Sequence, residues 1–465
     1  MIQGTESRDD TAVRLPSLRR KLAADSGWAL GGRTLTVAIA FGTSVLLARL
    51  LRPSDFGLYV LVMSVSGALS AVAHFGLPPT GTRLIAEALA TGLQGRARAV
   101  ARWVLVLSGG LAAGIALVGI SPPGRALLLA LFDVPGLDAT IGLTMLVTLL
   151  ATVQYALAEA FRGLGRILAA TVHGGLLATV LAFAFFVALA ADSGRASLNI
   201  VLWWTAASLA FGCLVAGGTL HLRLRALRGP GTTGTAELVR LSLPLFVYGV
   251  MTQVVTRVDV WAVGATRPAD LAVYGAANRL VLLVSTPLHI VNAVVPTVIA
   301  QLHARGEPRR LERIVRVTAT ASSLPAFAVL AVFLILGRPV MDIVYGDFYG
   351  AGAVSLAVLS VGAAFAVATG SCGMVLNMTG HQRVAMVVSL VAVVATIVGV
   401  FVGGAIAGGL GVACGAAGGA ILQNLFQVVA CRRVLGVRTE ISLAMTWDEA
   451  RRVLLHHQSV REEKV

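Results

Sequence analysis

Apolar residues run along this chain in blocks of about 20, separated by short stretches of Arg, Pro, Gly and Asp; a block of that length crosses a hydrocarbon core of about 30 Å as a helix. The pattern predicts spans near 28–51, 56–77, 101–120, 139–160, 168–191 and 197–220. A second set falls near 241–265, 271–299, 317–337, 351–377, 384–406 and 409–431. Twelve spans and no strand-like alternation make this an all-α polytopic membrane protein.

The polar breaks repeat. RPSDFGLYV begins at Arg52 and RPADLAVYG at Arg267, so that Arg52/Arg267, Pro53/Pro268, Asp55/Asp270 and Tyr59/Tyr274 are each 215 positions apart. Ser70/Ser285 and His74/His289 keep that offset, and GLGR at Gly163 is echoed by GHQR at Gly380, 217 positions on. Tyr, Ser and His at these spacings fall on one side of a helix. The chain therefore reads as a tandem duplication of two six-helix bundles. Six crossings return it to its starting side, so the copies share an orientation and are related by an axis along the membrane normal. The repeated turn is the outer link between the first two helices of each half, where Pro stops one helix and Asp caps the next. This gives a cytoplasmic N-terminal segment 1–26, bundles 27–222 and 241–434, a cytoplasmic linker 223–240 and a cytoplasmic tail 435–465.

Composition agrees: 57% of the 465 residues are hydrophobic and 13% charged, more apolar surface than a globular core hides. The net charge of +15 raises the question of nucleic acid, which its placement answers. With both termini inside, the inner segments hold 28 of the 37 Lys and Arg residues, the outer connections six, and the spans three. That is the positive-inside rule, and no nucleic-acid partner is needed to explain it. LRRKLAADSG leads into an apolar run too long for a signal peptide and without a cleavage site, so the first span is expected to be retained. Cys213, Cys372, Cys414 and Cys431 lack CxxC spacing and read as packing residues. GPGTTG at Gly229 fits G-x-G-x-x-G, but it lies in the Arg-rich linker with no strand before it and reads as a flexible hinge. Gly404/Gly408 and Gly411/Gly415/Gly419 are spaced for close packing of the last two helices. No Walker loop, HExxH or DxD-type pair is present, so neither an enzyme nor a bound cofactor is expected, and the tail after Val434 reads as lying on the inner surface.

Three arginines, Arg33, Arg257 and Arg279, fall inside predicted spans, where each costs about 2.5–3.5 kcal/mol and calls for a partner or a function. Asp259 is two residues from Arg257 and faces elsewhere on the helix, continuing the stripe Tyr248–Thr252–Thr256–Asp259, while Gln253 lies one turn from Arg257. Asp259 suits an ion pair, an outer gate with Arg279, or a site for a coupling H+ or Na+. Two further stripes, Thr148–Thr152–Tyr155–Glu159 and Tyr274–Asn278–Ser285–Asn292, suit a wet interior that hydrogen-bonds sugars, or bonds between helices. His74 and His289 are expected to bond local backbone.

LLARLLRPSDFGLYVLVMSVSGALSAVAHFGLPPTGTRLIAE, the AFRGLGR turn, RLSLPLF, and ADLAVYGAANRL followed by VVPTVIAQL resemble polysaccharide or O-antigen flippases of the multidrug/oligosaccharidyl-lipid/polysaccharide exporter superfamily. The resemblance runs from about Gly27 to Leu435. It implies two bundles facing a central cavity, alternating access, and a cargo of undecaprenyl-pyrophosphate-linked oligosaccharide moved outward across the cytoplasmic membrane. Glycosyltransferases or a polymerase of the same pathway are the implied partners. Cavity arginines in the relatives correspond to Arg33 and Arg257, which would hold the pyrophosphate because guanidinium forks match phosphate oxygens. Arg279, Gln253 and Asn278 would complete the binding set. A multidrug antiporter or a peptidoglycan-precursor (lipid II) flippase of the same superfamily is the alternative.

Overall fold

A computed structural model describes residues 31–32, 34–192, 195–231, 234–292 and 295–441, and every regular element among them is helical. The order is α1 (Thr34–Leu50), α2 (Pro53–His74), α3 (Leu77–Ala90), α4 (Gln94–Ile120), α5 (Pro122–Leu131), α6 (Leu137–Gly163), α7 (Ile167–Asp192) and α8 (Leu198–Ala226). Then come α9 (Thr235–Thr266), α10 (Pro268–Asn292), α11 (Val295–Ala304), α12 (Pro308–Tyr345), α13 (Ala353–Thr369), α14 (Cys372–Met378) and α15 (Gln382–Leu435). Ten of these runs are long and apolar enough to cross a membrane, α13 being counted from Asp347. The 54-residue α15 breaks at Ala407 and Gly408 and doubles back, so it crosses twice. With α1, the shorter apolar helix, the twelve expected spans are recovered.

Boundaries differ where the backbone turns sharply. The span expected at 56–77 stops at His74, because Phe75 (φ 47°) and Gly76 (φ 65°) are left-handed and start α3. Gly76 also lies where a Cβ would overlap the Ser242 carbonyl and come within 2.6 Å of Phe246 N, so glycine is needed there twice over. The span expected at 271–299 ends at Asn292, and Pro296 sits in the first turn of α11, where its missing N–H is tolerated. The one expected at 351–377 divides at Gly370 (φ 70°) into α13 and α14.

The helices leave a linker shorter than 223–240, and its described residues make defined contacts. Arg223 and Arg225 sit in the last turn of α8 and Glu237 in the first turn of α9, each matching the helix dipole, so both helices extend into 223–240. Arg98 donates from Nη1 to the Leu227 carbonyl at 3.2 Å and from Nη2 to that of Gly229 at 3.4 Å. Gly95 lies against the carbonyls of Gly229 and Pro230 so closely that a Cβ would overlap them. Gly95 and Gly231 thus serve a backbone-to-backbone contact; Thr232 and Thr233 lie outside the described residues.

Contacts divide the chain into two compact units. The first comprises residues up to Leu46, Val65–Leu128 and Asp138–Val250; the second comprises Leu47–Ser64, Leu129–Leu137 and residues from Met251 on. Within the second unit the duplication is visible as contact. At the 215 offset Ala272 is the counterpart of Gly57, and Gly275 of Val60. A Cβ on Gly57 would lie 2.9 Å from Ala272 N, and one on Gly275 2.8 Å from Val60 Cγ2. Counterparts touch each other, as residues astride a two-fold axis do.

One expectation at a helix end changes. Asp270 caps a helix other than the one it precedes: its Oδ2 accepts from Gly409 N at 2.8 Å, at the start of the returning arm of α15. The first residues of the tail pack against the protein as they leave α15. Val437 and Thr439 are 2% and 0% exposed, and Ile441 N donates to the Ala368 carbonyl at 2.9 Å, so the segment is sewn into the second unit. Residues 442–465 lie outside the described residues.

Candidate functional site

Helices α9 and α10 meet at the Thr266–Pro268 turn and run side by side, which brings residues at similar depths below that turn into register. Asp259 lies seven residues before Thr266, about 10 Å along the helix at 1.5 Å per residue, and Tyr274 and Asn278 lie at comparable depth on α10. The Tyr274 hydroxyl donates to Asp259 Oδ2 at 2.9 Å, Asn278 Nδ2 donates to the same oxygen at 3.0 Å, and Val260 N donates to Oδ1 at 2.8 Å. Asp259 is 8% and Tyr274 1% exposed.

Of the roles open to Asp259, the ion pair is not formed among the described residues. Neutral donors hold the carboxylate, and among the described residues no Arg forms a salt bridge with it. Three hydrogen bonds are what hold this buried side chain without a touching cation.

The arginines are left over. Arg257 is half-buried, its Nε is buried without a hydrogen-bond partner among the described residues, and it lies in electrostatic range of Asp259 and of a second cation, Arg279. Arg279 is half-buried and close enough to interact electrostatically with Tyr59 of α2. Gln253 sits half-buried one turn before Arg257 on α9. The structure thus gathers Asp259, Asn278, Arg257 and Arg279 with Tyr59 and Tyr274, the repeated tyrosine pair. Arg33 lies outside the described residues. Two cations beside one carboxylate that already accepts three hydrogen bonds leave the cluster net positive, an arrangement suited to an anion.

The polar stripe on α6 is buried except at Tyr155, which is exposed. Thr148 and Thr152 are fully buried, and Thr152 Oγ1 donates to Ser70 Oγ on α2 at 3.0 Å, so this is a seam between helices. His74 is likewise not bonded only to local backbone: its Nε2 is 3.3 Å from Ser70 Oγ and its ring packs 4.5 Å from that of Tyr155. On α10 the companion stripe ends with Asn292 Oδ1 accepting from Ser371 Oγ at 2.5 Å. Sequence reasoning passed over Tyr59 as a site residue, although its repetition at Tyr274 was the available signal.

Replacing Asp259 by Ala strands three donors, at about 1–3 kcal/mol for each buried polar group left unpaired. D259A is expected to lower the thermal midpoint of the purified protein, and D259N, which keeps an acceptor oxygen, to recover most of the loss. Equal losses for both variants would show that the packing around the carboxylate, and not its hydrogen bonds, holds α9 to α10.

Comparisons with known proteins follow the same lines. Residues 22–303 match the family described as polysaccharide biosynthesis protein, and residues 244–402 match the MatE family. No curated protein matches the chain. Among solved structures, an inward-facing multidrug resistance MATE family transporter of the MOP superfamily aligns with TM-score 0.70 at 14% identity, covering 86% of this chain and 94% of that one. The lipid II flippase MurJ, in an inward closed conformation, aligns with TM-score 0.67 at 12% identity over 86% of each chain. A MOP superfamily transporter from Pyrococcus furiosus, described as having a binding pocket of reversed polarity, aligns with TM-score 0.63 at 15% identity, over 88% of this chain and 94% of that one. These likenesses establish the fold.

Proposed function

The chain belongs to the polysaccharide biosynthesis protein family, and from that premise we propose that it carries a glycan linked to an isoprenoid pyrophosphate from the inner to the outer leaflet of the cytoplasmic membrane. It is a multi-pass membrane protein with the fold of MOP superfamily transporters. The observation that carries the proposal is the unpaired Arg257 beside Arg279, with the neighbouring carboxylate already held by neutral groups. A pyrophosphate supplies the oxygens these guanidinium groups lack, in bidentate, charge-assisted hydrogen bonds. Arg33 is proposed to join them from the first helix, Gln253 and the free amide oxygen of Asn278 to meet the sugars, and the termini to lie in the cytoplasm. Asp259 is the carboxylate through which a coupling H+ or Na+ would act at this site.

A multidrug antiporter moving organic cations would need exposed carboxylates, whereas here the one carboxylate of the cluster is buried and already accepts three hydrogen bonds. The lipid II flippase among the structural neighbours favours a lipid-linked cargo, and a peptidoglycan precursor would present the same pyrophosphate.

Deleting the gene is expected to deplete surface polysaccharide while lipid-linked oligosaccharide accumulates, read by immunoblot and by extraction of the lipid-linked pool. Unchanged polysaccharide with new sensitivity to cationic drugs would overturn the proposal in favour of the antiporter.

A further inference from the structure

Three buried donors of the second unit have no hydrogen-bond partner among the described residues: Arg257 Nε and Trp261 Nε1 on α9, and Ser64 Oγ on α2. Buried polar groups in folded proteins are nearly always bonded, so three in one neighbourhood call for a reason. Residues 257, 261 and 264 form one stripe of α9, because neighbours three and four apart on a helix lie about 5–6 Å from each other at Cβ. Asp259, two residues from both Arg257 and Trp261, faces α10 instead, where Tyr274 and Asn278 hold it.

The stripe faces α2. A Cβ on Gly264 would lie 3.2 Å from Leu61 Cδ1. Helix α10 runs parallel to α2, since Gly57 meets Ala272 and Val60 meets Gly275, and α9 runs opposite to α10 across their shared turn. Helices α2 and α9 are therefore antiparallel, and one turn along from the Leu61–Gly264 contact Ser64 comes level with Trp261. The next turn of α9 reaches Arg257, with Arg279 in electrostatic range.

The three groups agree in chemistry. Indole and guanidinium N–H groups only donate. Ser64, 2% exposed, lacks the bond to a carbonyl one turn back that Thr148 and Thr152 make, so its hydroxyl is free to donate as well. The Arg257 and Trp261 side chains are half-buried while these N–H groups are covered. An oxygen held by them is out of water, where a charge-assisted hydrogen bond is strongest.

We propose that Trp261 Nε1 and Ser64 Oγ form, with Arg257, a face of donors that takes the phosphate oxygens of the cargo. The inference rests on the reading that the cargo carries a pyrophosphate, and deepens it by adding two neutral donors to the arginines. Neutral donors hold an anion without enlarging the charge that the bilayer opposes, as a further arginine would. Trp261 and Ser64 also ask for an acceptor in a set place, which a diffuse negative charge does not supply.

The test uses the full chain in nanodiscs, isotope-labelled at the indole nitrogen of its six tryptophans, with W261F to assign the Trp261 resonance. Farnesyl pyrophosphate is expected to move that resonance downfield, as an indole N–H does on donating to an oxyanion, and farnesol, with the same chain and no phosphate, to leave it in place. Inorganic pyrophosphate is titrated separately. A shift with it shows that the phosphate group suffices, a shift with the isoprenyl ligand alone shows that the lipid must bring the phosphate there, and either supports the site. W261F keeps an aromatic ring and loses the donor, and is expected to bind farnesyl pyrophosphate about tenfold more weakly. S64A gives an independent reading: its hydroxyl bonds nothing in the protein, so the thermal midpoint should be unchanged while binding weakens about threefold. Binding without movement of the Trp261 resonance, an equal shift with farnesol, or unchanged affinity in either variant would overturn the donor face and leave the transport reading standing. Failure of farnesyl pyrophosphate to bind wild type would overturn the cargo reading and the inference with it.

Discussion

Arg257→Ala is expected to lower export of the lipid-linked glycan at least about tenfold, the equivalent of about 1.4 kcal/mol of lost interaction, with expression and thermal stability unchanged or slightly raised. A structural arginine inside a membrane protein should be paired, and its removal should destabilise the fold by stranding the partner. Among the described residues Arg257 forms no salt bridge: its Nε is buried without a hydrogen-bond partner, Arg279 repels it, and Asp259, which attracts it through space, is held by Tyr274, Asn278 and Val260. Removing it therefore relieves a buried charge that costs about 2.5–3.5 kcal/mol, and takes away only what it does for a ligand. Surface polysaccharide, quantified by immunoblot against matched protein levels, is the readout. Arg257→Lys should restore part of the activity, since it returns the charge without the bidentate fork. Normal polysaccharide in the alanine variant would remove this residue from the site.

The sequence made the spans and the duplication legible because lipid imposes its own length on helices, and because a repeated turn keeps its spacing. Pro53 and Pro268 do open helical runs, and the break between 406 and 409 is where α15 reverses. Partners were not legible. Tyr274 and Asn278 are 15 and 19 residues from Asp259, and helical periodicity places them on one face without saying which helix that face meets. The Thr148–Thr152 stripe shows the same limit. In a bilayer, a hydroxyl turned away from acyl chains faces either water or another helix, and the spacing is identical for both. The glycines of the linker were ambiguous for a related reason, since a residue without Cβ serves a free hinge and a tight backbone contact equally. At the 215 offset Asp259 and Arg279 correspond to Ser44 and Ser64, so the charged residues of the cluster belong to one half and the repeat pattern pointed only to its tyrosines.

Gly411→Ala is expected to abolish the folded protein, whereas Gly418→Ala, seven residues along the same helix, is expected to leave it intact. The two arms of α15 pack through a glycine ladder. A Cβ on Gly411 would overlap the backbone carbonyl of Gly403, one on Gly403 would overlap that of Gly411, and one on Gly415 would overlap the backbone of Gly399. Overpacking against a side chain costs about 1–3 kcal/mol, because a rotamer can move aside. Backbone against backbone has no such relief, and the arms must separate along their length, taking with them the Gly409 N–H that Asp270 holds. That loss falls on a total stability of about 5–15 kcal/mol. Gly418 has nothing within 4 Å of the position a Cβ would take, so alanine there adds helix propensity of about 1 kcal/mol and removes no contact. Size-exclusion profiles of fluorescently tagged variants in detergent separate the two outcomes: a monodisperse peak for Gly418→Ala and aggregate or no peak for Gly411→Ala. Equal profiles would show that the arms tolerate a wider spacing and that the ladder does not set it.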